Sequence, residues 1–204
     1  QMTGIVIQAR LSSERLPAKV MLSVGGKPLI HRIIDVCRAC KLANKIIVVT
    51  PDIEIANYVV ENTLAYASLW EHNHRDVLGE FLQAAQTYNL DTIVRITADC
   101  VFHRSDVIDY CIKEYHISEC GYAYNTSDDM PTGWPEGLDV EVFSAKTLQD
   151  AFYGATGTER EHVTQWIRRH CPIHTVKPFE QFNKQDYFSI NTLEDYKRAL
   201  RQIS

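Results

Sequence analysis

Two rhythms of apolar residues alternate along this chain. Short β-branched runs, "GIVIQA" (residues 4–9), "KIIVVT" (45–50) and "DTIVRIT" (91–97), predict buried strands. Between them lie stretches with the i, i+3, i+4 spacing of an amphipathic helix. "LIHRIIDVCRAC" carries Leu29, Ile30, Ile33, Ile34 and Cys37 on one stripe, with Pro28 at its start. A second helix follows Pro51-Asp52, with Asp52 as its expected cap. "AYASLW" reads as a strand and "RDVLGEFLQAAQTY" as a helix capped near Asp76. A helix from about Ser105 through Glu114 comes next, then the strand "GYAYNT" and the polar turn "SDDMPTGWPEG" (127–137). The remaining order is strand "LDVEVF", helices "AKTLQDAFYG" and "EREHVTQWIRRH", late strands "PIHTVK" and "DYFSIN", and a closing helix "TLEDYKRALRQI". Strands separated by helices predict an α/β fold with a mostly parallel sheet covered on both faces, in one three-layer domain over residues 1–204. Ligands of such sheets bind at the carboxyl ends of strands, near the switch in strand order. Arg10, Asp99 and Asn125 all fall at or just past predicted strand ends.

Composition narrows the partners. With 21 Lys and Arg against 26 Asp and Glu, the net charge of −5 argues against nonspecific nucleic-acid binding. No apolar run reaches the ~20 residues of a membrane span, and the first residues lack the pattern of a signal peptide. Six scattered cysteines form no paired CxxC sets, so zinc is not expected, and Cys37 and Cys40 read as core residues. A reducing cytoplasm suits these thiols.

Against that acidic background, "QARLSSERLPAK" (8–19) gathers Arg10, Arg15 and Lys19 with Ser12 and Ser13 in one loop after the first strand. Neither GxxxxGK[ST] nor GxGxxG is present, so the two common phosphate loops are excluded. Arginine forks take phosphate oxygens in pairs and lysine acts as a compact charge. Three cations plus a divalent metal roughly balance the about four negative charges of a nucleoside triphosphate; a solvated loop paired with nearby carboxylates is the other reading. Asp99 stands too far upstream of "SDVIDY" to cap that helix, and a carboxylate facing a triphosphate calls for a bridging cation such as Mg2+. Asp139 and Glu141, two apart in a strand, share the face opposite Leu138, Val140 and Val142, towards solvent or a cleft. Arg160, Glu161 and His162 open a helix, where they serve an acceptor or stand as surface charges.

The stretch "QARLSSERLPAKVMLSVGGKPLIHRII" resembles the opening of the cytidylyltransferases that activate acidic sugars, the CMP-keto-deoxyoctulosonate and CMP-acylneuraminate synthetases, and is nearest to the spore coat polysaccharide biosynthesis protein F branch. The blocks "RDVLGEFLQAA", "VRITADC", "YNT", "EGLDVEVFS", "EREHVTQWIRRH" and "INTLEDY" follow in family order. The resemblance implies a Rossmann-like nucleotide-diphospho-sugar transferase fold. The reaction it implies is transfer of CMP from CTP, with Mg2+, to an oxygen of an acidic acceptor with loss of pyrophosphate, in surface polysaccharide synthesis. It places the triphosphate on Arg10, Arg15 and Lys19, a close backbone approach to the nucleotide at Ala9 and Ser12, Gln8 among the nucleotide-binding residues, and the cytidine near Arg95 and Thr97. It assigns the acceptor to Asn125, Asp139, Glu141, Arg160, Glu161 and His162, the metal to Asp99 and Asn191, and the assembly to a homodimer. Two departures stand out. Asn191 replaces the usual second metal aspartate, with Asp139, Glu141 and Asp195 as possible compensation. Val101 replaces a proline, which is expected to loosen the turn after Asp99. A non-catalytic nucleotide-binding relative is the alternative that Asn191 raises. A glycosyl transfer enzyme, with an acidic pair at a strand end, is a weaker one, since Asp128-Asp129 fall in the polar turn.

Overall fold

The β-branched runs do pair, and they pair mainly in parallel. The computed structural model describes residues 1–126 and 131–203; the acidic pair Asp128-Asp129 lies outside them. Its main sheet has seven strands in the order β5-β4-β1-β6-β8-β7-β9. In chain order these are β1 (Thr3–Gln8), β4 (Lys45–Thr50), β5 (Tyr66–Leu69), β6 (Thr92–Thr97), β7 (Tyr122–Tyr124), β8 (Glu141–Ser144) and β9 (Ile173–Thr175). Only β8 runs antiparallel to its neighbours. A small hairpin, β2 (Ser23–Val24) with β3 (Lys27–Pro28), carries the "GGKP" turn, where Gly25 and Gly26 take positive φ.

Helices cover both faces. On one, α1 (Leu29–Arg38), α2 (Ile53–Asn62) and α4 (Ser105–Ser118) bury Ile33, Ile34, Ile55, Val59 and Ile108 against Ile5, Ile7 and Val94. On the other, α3 (Val77–Thr87), α5 (Ala145–Gly154) and α6 (Gln165–His170) bury Phe81, Leu148 and Ile167 against Val6, Ile47 and Phe143. A third cluster joins Leu16, Val101, Phe188 and Ile190 to Ala199 of α7 (Leu193–Ile203). Cys37 and Cys40 are buried core residues as expected, and all six cysteines are free thiols.

Three local readings change. Asp52 precedes α2 without capping it, because its Oδ2 accepts instead from the Leu11 backbone at 2.8 Å. "EREHVTQWIRRH" divides into a 3-10 turn (Gly157–Arg160), closed by a capping box of Thr156 and Glu159, and the short α6. "DYFSIN" is not a strand: it buries Phe188 and Ile190, and the Ile190 N–H donates at 3.0 Å to the Asp99 carbonyl in the turn beyond β6. Asp76 does cap α3, accepting from the Gly79 N–H at 3.1 Å.

From β1 the chain goes outward to β4 and β5 and returns on the other side of β1 as β6. The switch in strand order therefore lies between β1 and β6, and a crevice opens beyond their carboxyl ends.

Candidate active site

A cleft of about 850 Å³ occupies that crevice. Its floor is the end of β1 (Gln8, Ala9) and of β6 (Arg95, Thr97, Ala98, Asp99). One wall is the basic loop with Arg10, Ser12, Arg15 and Lys19; the others carry His74, Arg75 and Val77 ahead of and in α3, Glu161 and His162, and Asn191.

The loop is fixed at both ends. Leu11 donates to Asp52, and Ala18, in the left-handed region at φ 55°, donates its N–H to the Leu11 carbonyl at 2.9 Å. Leu16 and Val20 anchor it in the core, leaving Arg10 and Arg15 exposed at the cleft. Lys19 is the most constrained of the three cations. Its Nζ donates to Asp99 Oδ2 at 3.1 Å and to Asn191 Oδ1 at 3.0 Å, with Lys19 and Asp99 side chains only 17% and 19% exposed.

Two oxygens, one from mid-chain and one from near its C-terminal end, thus converge on one positive charge. Mg2+ takes one or two carboxylates and completes its shell with phosphate oxygens and water. The Asp99 carboxylate and Asn191 amide oxygen fit as a two-donor platform for it, with less charge than two aspartates would supply. Among the described residues no group of three or more His, Cys, Asp or Glu gathers as a self-sufficient metal site. Neither Glu141, engaged by Arg95 and Tyr122, nor Asp195 joins the pair. Asp195 Oδ2 instead accepts from the Asn191 and Thr192 backbone N–H groups at 3.0 and 2.9 Å, fixing the start of α7. Burial alone would raise its carboxyl; those N–H donors hold it below its ordinary value.

The turn after Asp99 is not loosened by Val101. That side chain is buried in the cluster with Leu16 and Phe188, and the turn is closed by Cys100 N–H to the Thr97 carbonyl and His103 N–H to the Cys100 carbonyl. Burial lowers His103 to about 4, so it stays neutral while bridging to the Asp139 carbonyl at 3.0 Å.

The residues assigned to the acceptor separate into two sets. Glu161 and His162 line the cleft. Asn125 does not: it is fully buried, its Nδ2 donating to the Leu138 carbonyl at 2.6 Å and its Oδ1 accepting from the Val140 N–H at 2.7 Å. Arg160 is spent on Asp76 through a two-pronged pair at 2.9 and 2.8 Å, stacks on Phe152, and donates to the Phe152 carbonyl. Asp139 is exposed on the approach to β8 and does not line the cleft. Glu141 lies behind the cleft wall, accepting from Arg95 Nη1 at 2.8 Å and from the Tyr122 hydroxyl at 2.6 Å. Burial alone would raise this carboxyl, but the Arg95 and Arg168 guanidiniums hold it below its ordinary value.

His74 and Arg75 were missed as cleft residues. Their signal was position: His74 precedes and Arg75 opens the block "RDVLGEF", which leads into α3.

The geometry agrees with what the chain resembles. The family model described as Cytidylyltransferase matches residues 4–201. The spore coat polysaccharide biosynthesis protein SpsF of Bacillus subtilis is 27% identical over 210 residues, covering 97% of this chain and 85% of its own. A cytidylyltransferase structure from Leptospira borgpetersenii superposes with a TM-score of 0.82 at 25% identity, over 98% of this chain and 86% of that one. A CMP:2-keto-3-deoxy-manno-octonic acid synthetase complexed with CTP shares the fold, with a TM-score of 0.75 at 13% identity over 98% of each chain. The chain belongs to the cytidylyltransferase family, as a CTP-using nucleotidyltransferase of Rossmann-like fold.

Proposed function

We propose that the protein transfers CMP from CTP to an oxygen of an acidic sugar or similar acidic metabolite, releasing pyrophosphate, in surface polysaccharide synthesis. One observation carries this reading: Lys19, Asp99 and Asn191 meet at about 3 Å in the cleft where β1 and β6 diverge, beside Arg10 and Arg15. In-line phosphoryl transfer asks the protein chiefly for positioning and charge neutralisation. Arg10 and Arg15 take the β- and γ-phosphate oxygens, and Lys19 shifts from Asp99 towards the triphosphate as it enters. Asp99 and Asn191 would hold Mg2+, which supplies neutralisation of phosphate charge when bound. The acceptor oxygen forms a bond to the α-phosphorus while the bond to the bridging oxygen of pyrophosphate breaks. The acceptor's proton passes to His162 or to solvent. Glu161 and His162, which line the cleft, would then face the acceptor.

Pyrophosphate release measured with CTP, Mg2+ and a panel of sugar acids tests the assignment. Turnover that requires all three supports it. Failure of any nucleoside triphosphate to bind in the presence of Mg2+, read by calorimetry, overturns it. The uncharged Asn191, held by Lys19 where the resemblance implies an aspartate, favours a second reading of a non-catalytic nucleotide-binding protein. CTP binding without turnover on any acceptor would select that reading.

A further inference from the structure

Arg95 is a cation of the cleft that the triphosphate loop does not account for. It sits within β6, two residues before Thr97, about 7 Å of strand deeper than that strand's end. Arg95 and Glu141 are directly opposed in the antiparallel β6–β8 register, so their side chains share a face. Glu141 holds Arg95 from behind at 2.8 Å and is itself held by the Tyr122 hydroxyl. That hydroxyl accepts from Arg168 Nε at 3.0 Å, and Arg168 also approaches Glu141 at 3.8 Å. Two guanidiniums thus share one carboxylate, and the group keeps a net positive charge.

The donors at this point are also in excess. Arg95 Nε is buried with no hydrogen-bond partner, and Arg95 Nη2 donates to Gln8 Oε1 at 3.3 Å. That contact uses the acceptor end of the Gln8 amide and leaves its Nε2 donors. Arg95 and Gln8 both line the cleft. A nucleobase or ribose edge mixes donors with acceptors, whereas a carboxylate needs donors alone. A planar fork suits it geometrically.

We infer that Arg95, with Gln8 beside it, serves not the cytidine, as the resemblance implies, but the acid group of the acceptor, as a second anion site distinct from the triphosphate loop. Glu141 is its positioning residue, acting through Arg95 and not on substrate. This inference rests on the acidic-acceptor reading above.

The test uses the full chain loaded with Mg2+ and a non-hydrolysable α,β-methylene analogue of CTP. Into it 3-deoxy-manno-octulosonate, its methyl ester, N-acetylneuraminate and glycerate are titrated by calorimetry. The wild type is expected to bind at least one acid, and in the octulosonate pair the acid about tenfold or more tighter than the uncharged ester. Arg95→Gln should weaken the acid at least about tenfold and abolish that preference, leaving the nucleotide analogue within about twofold. Arg95→Lys, which keeps charge without the fork, should fall between them and covers the case in which Arg95→Gln does not fold. Glu141→Gln should weaken the acid several-fold with nucleotide affinity unchanged, and Glu141→Asp should recover part of the loss; a merely structural Glu141 would lower melting temperature without that selectivity. Unchanged acid binding in Arg95→Gln overturns the inference, as does a loss confined to the nucleotide analogue. If the wild type binds the analogue but none of the acids, the second anion site falls while the CTP-using reading stands. If the analogue itself does not bind, the reading beneath it falls instead.

Discussion

Lys19 shows how one side chain tied within the free protein also suits the proposed reaction. In the folded chain it neutralises Asp99 and satisfies Asn191, so neither oxygen faces the cleft unpaired. The pair is largely shielded but borders the cleft, so water can reach both oxygens once the ammonium is gone and the fold loses little, while the proposed reaction loses a charge aimed at a triphosphate. Lys19→Ala is therefore expected to cut turnover at least about 100-fold and to change unfolding free energy by no more than about 1 kcal/mol, read by pyrophosphate release and urea denaturation. Unchanged turnover would remove Lys19 from the reaction. Glu80 makes the opposite case. It is buried on α3 with Oε1 unpartnered, and burial pushes its carboxyl from 4.5 up to about 8, with Arg10 opposing and Asp52 and Asp76 adding to the rise. Between pH 4.5 and 8 the native state keeps a proton that the unfolded chain releases, so this group's contribution makes stability fall as pH rises through that window. Glu80→Gln cannot ionise and should show no such fall. Its gain over wild type should be near zero at pH 4 and on the order of 4–5 kcal/mol at pH 8.5, measured by urea denaturation at both. Parallel slopes in the two proteins would show that Glu80 is ionised in the fold.

At the scale of elements, the polar residues that looked like substrate contacts turn out to join segments together. Asn125 closes the end of β7 onto the chain entering β8, satisfying one buried carbonyl and one buried N–H. Asn125→Ala leaves both without partners. It is expected to cost about 2–4 kcal/mol in unfolding free energy while CTP affinity in the folded fraction stays unchanged; a selective loss of nucleotide affinity would restore Asn125 to the site. The same contrast explains what the sequence could and could not reveal. β-branched runs and three-to-four spacing are local, so β1, β4, β6, α1 and α3 were readable from residues close together. "DYFSIN" alternates like a strand because Phe188 and Ile190 are buried, yet a strand also needs a neighbouring edge, and that is a property of the fold. The basic loop was legible because its cations lie within ten residues of one another. Arg160 and Asp76 are 84 positions apart, and Arg95 and Glu141 are 46 apart. No local pattern tells a charged side chain that meets substrate from one whose partner waits across the sheet.

At the scale of the whole molecule, the cleft is closed by the two ends of the chain. Lys19 and Asn191 are 172 positions apart, and Asn191 is placed by three separate ties. Ile190 donates to the Asp99 carbonyl, Asp195 fixes the backbone of Asn191 and Thr192, and the Tyr196 hydroxyl donates to the Ser23 carbonyl at 2.6 Å. The cluster of Leu16, Phe188, Ile190 and Ala199 packs beneath both segments, so the loop and α7 share one apolar support. A ligand that draws on Lys19, Asp99 and Asn191 together must therefore stabilise both ends at once. Binding at 100 times Kd contributes about 2.7 kcal/mol to the native state, enough to suppress local openings of that size. Hydrogen exchange with saturating CTP and Mg2+ should slow in residues 10–22 and in 188–203 together, with the edge strand β5 unaffected. CTP without Mg2+ should protect the loop more than the C-terminal segment, because in the proposed site Asn191 would engage the nucleotide only through the metal. Protection of the loop alone in both conditions would mean that Asn191 serves only to hold Lys19, and that the metal platform is Asp99 without it.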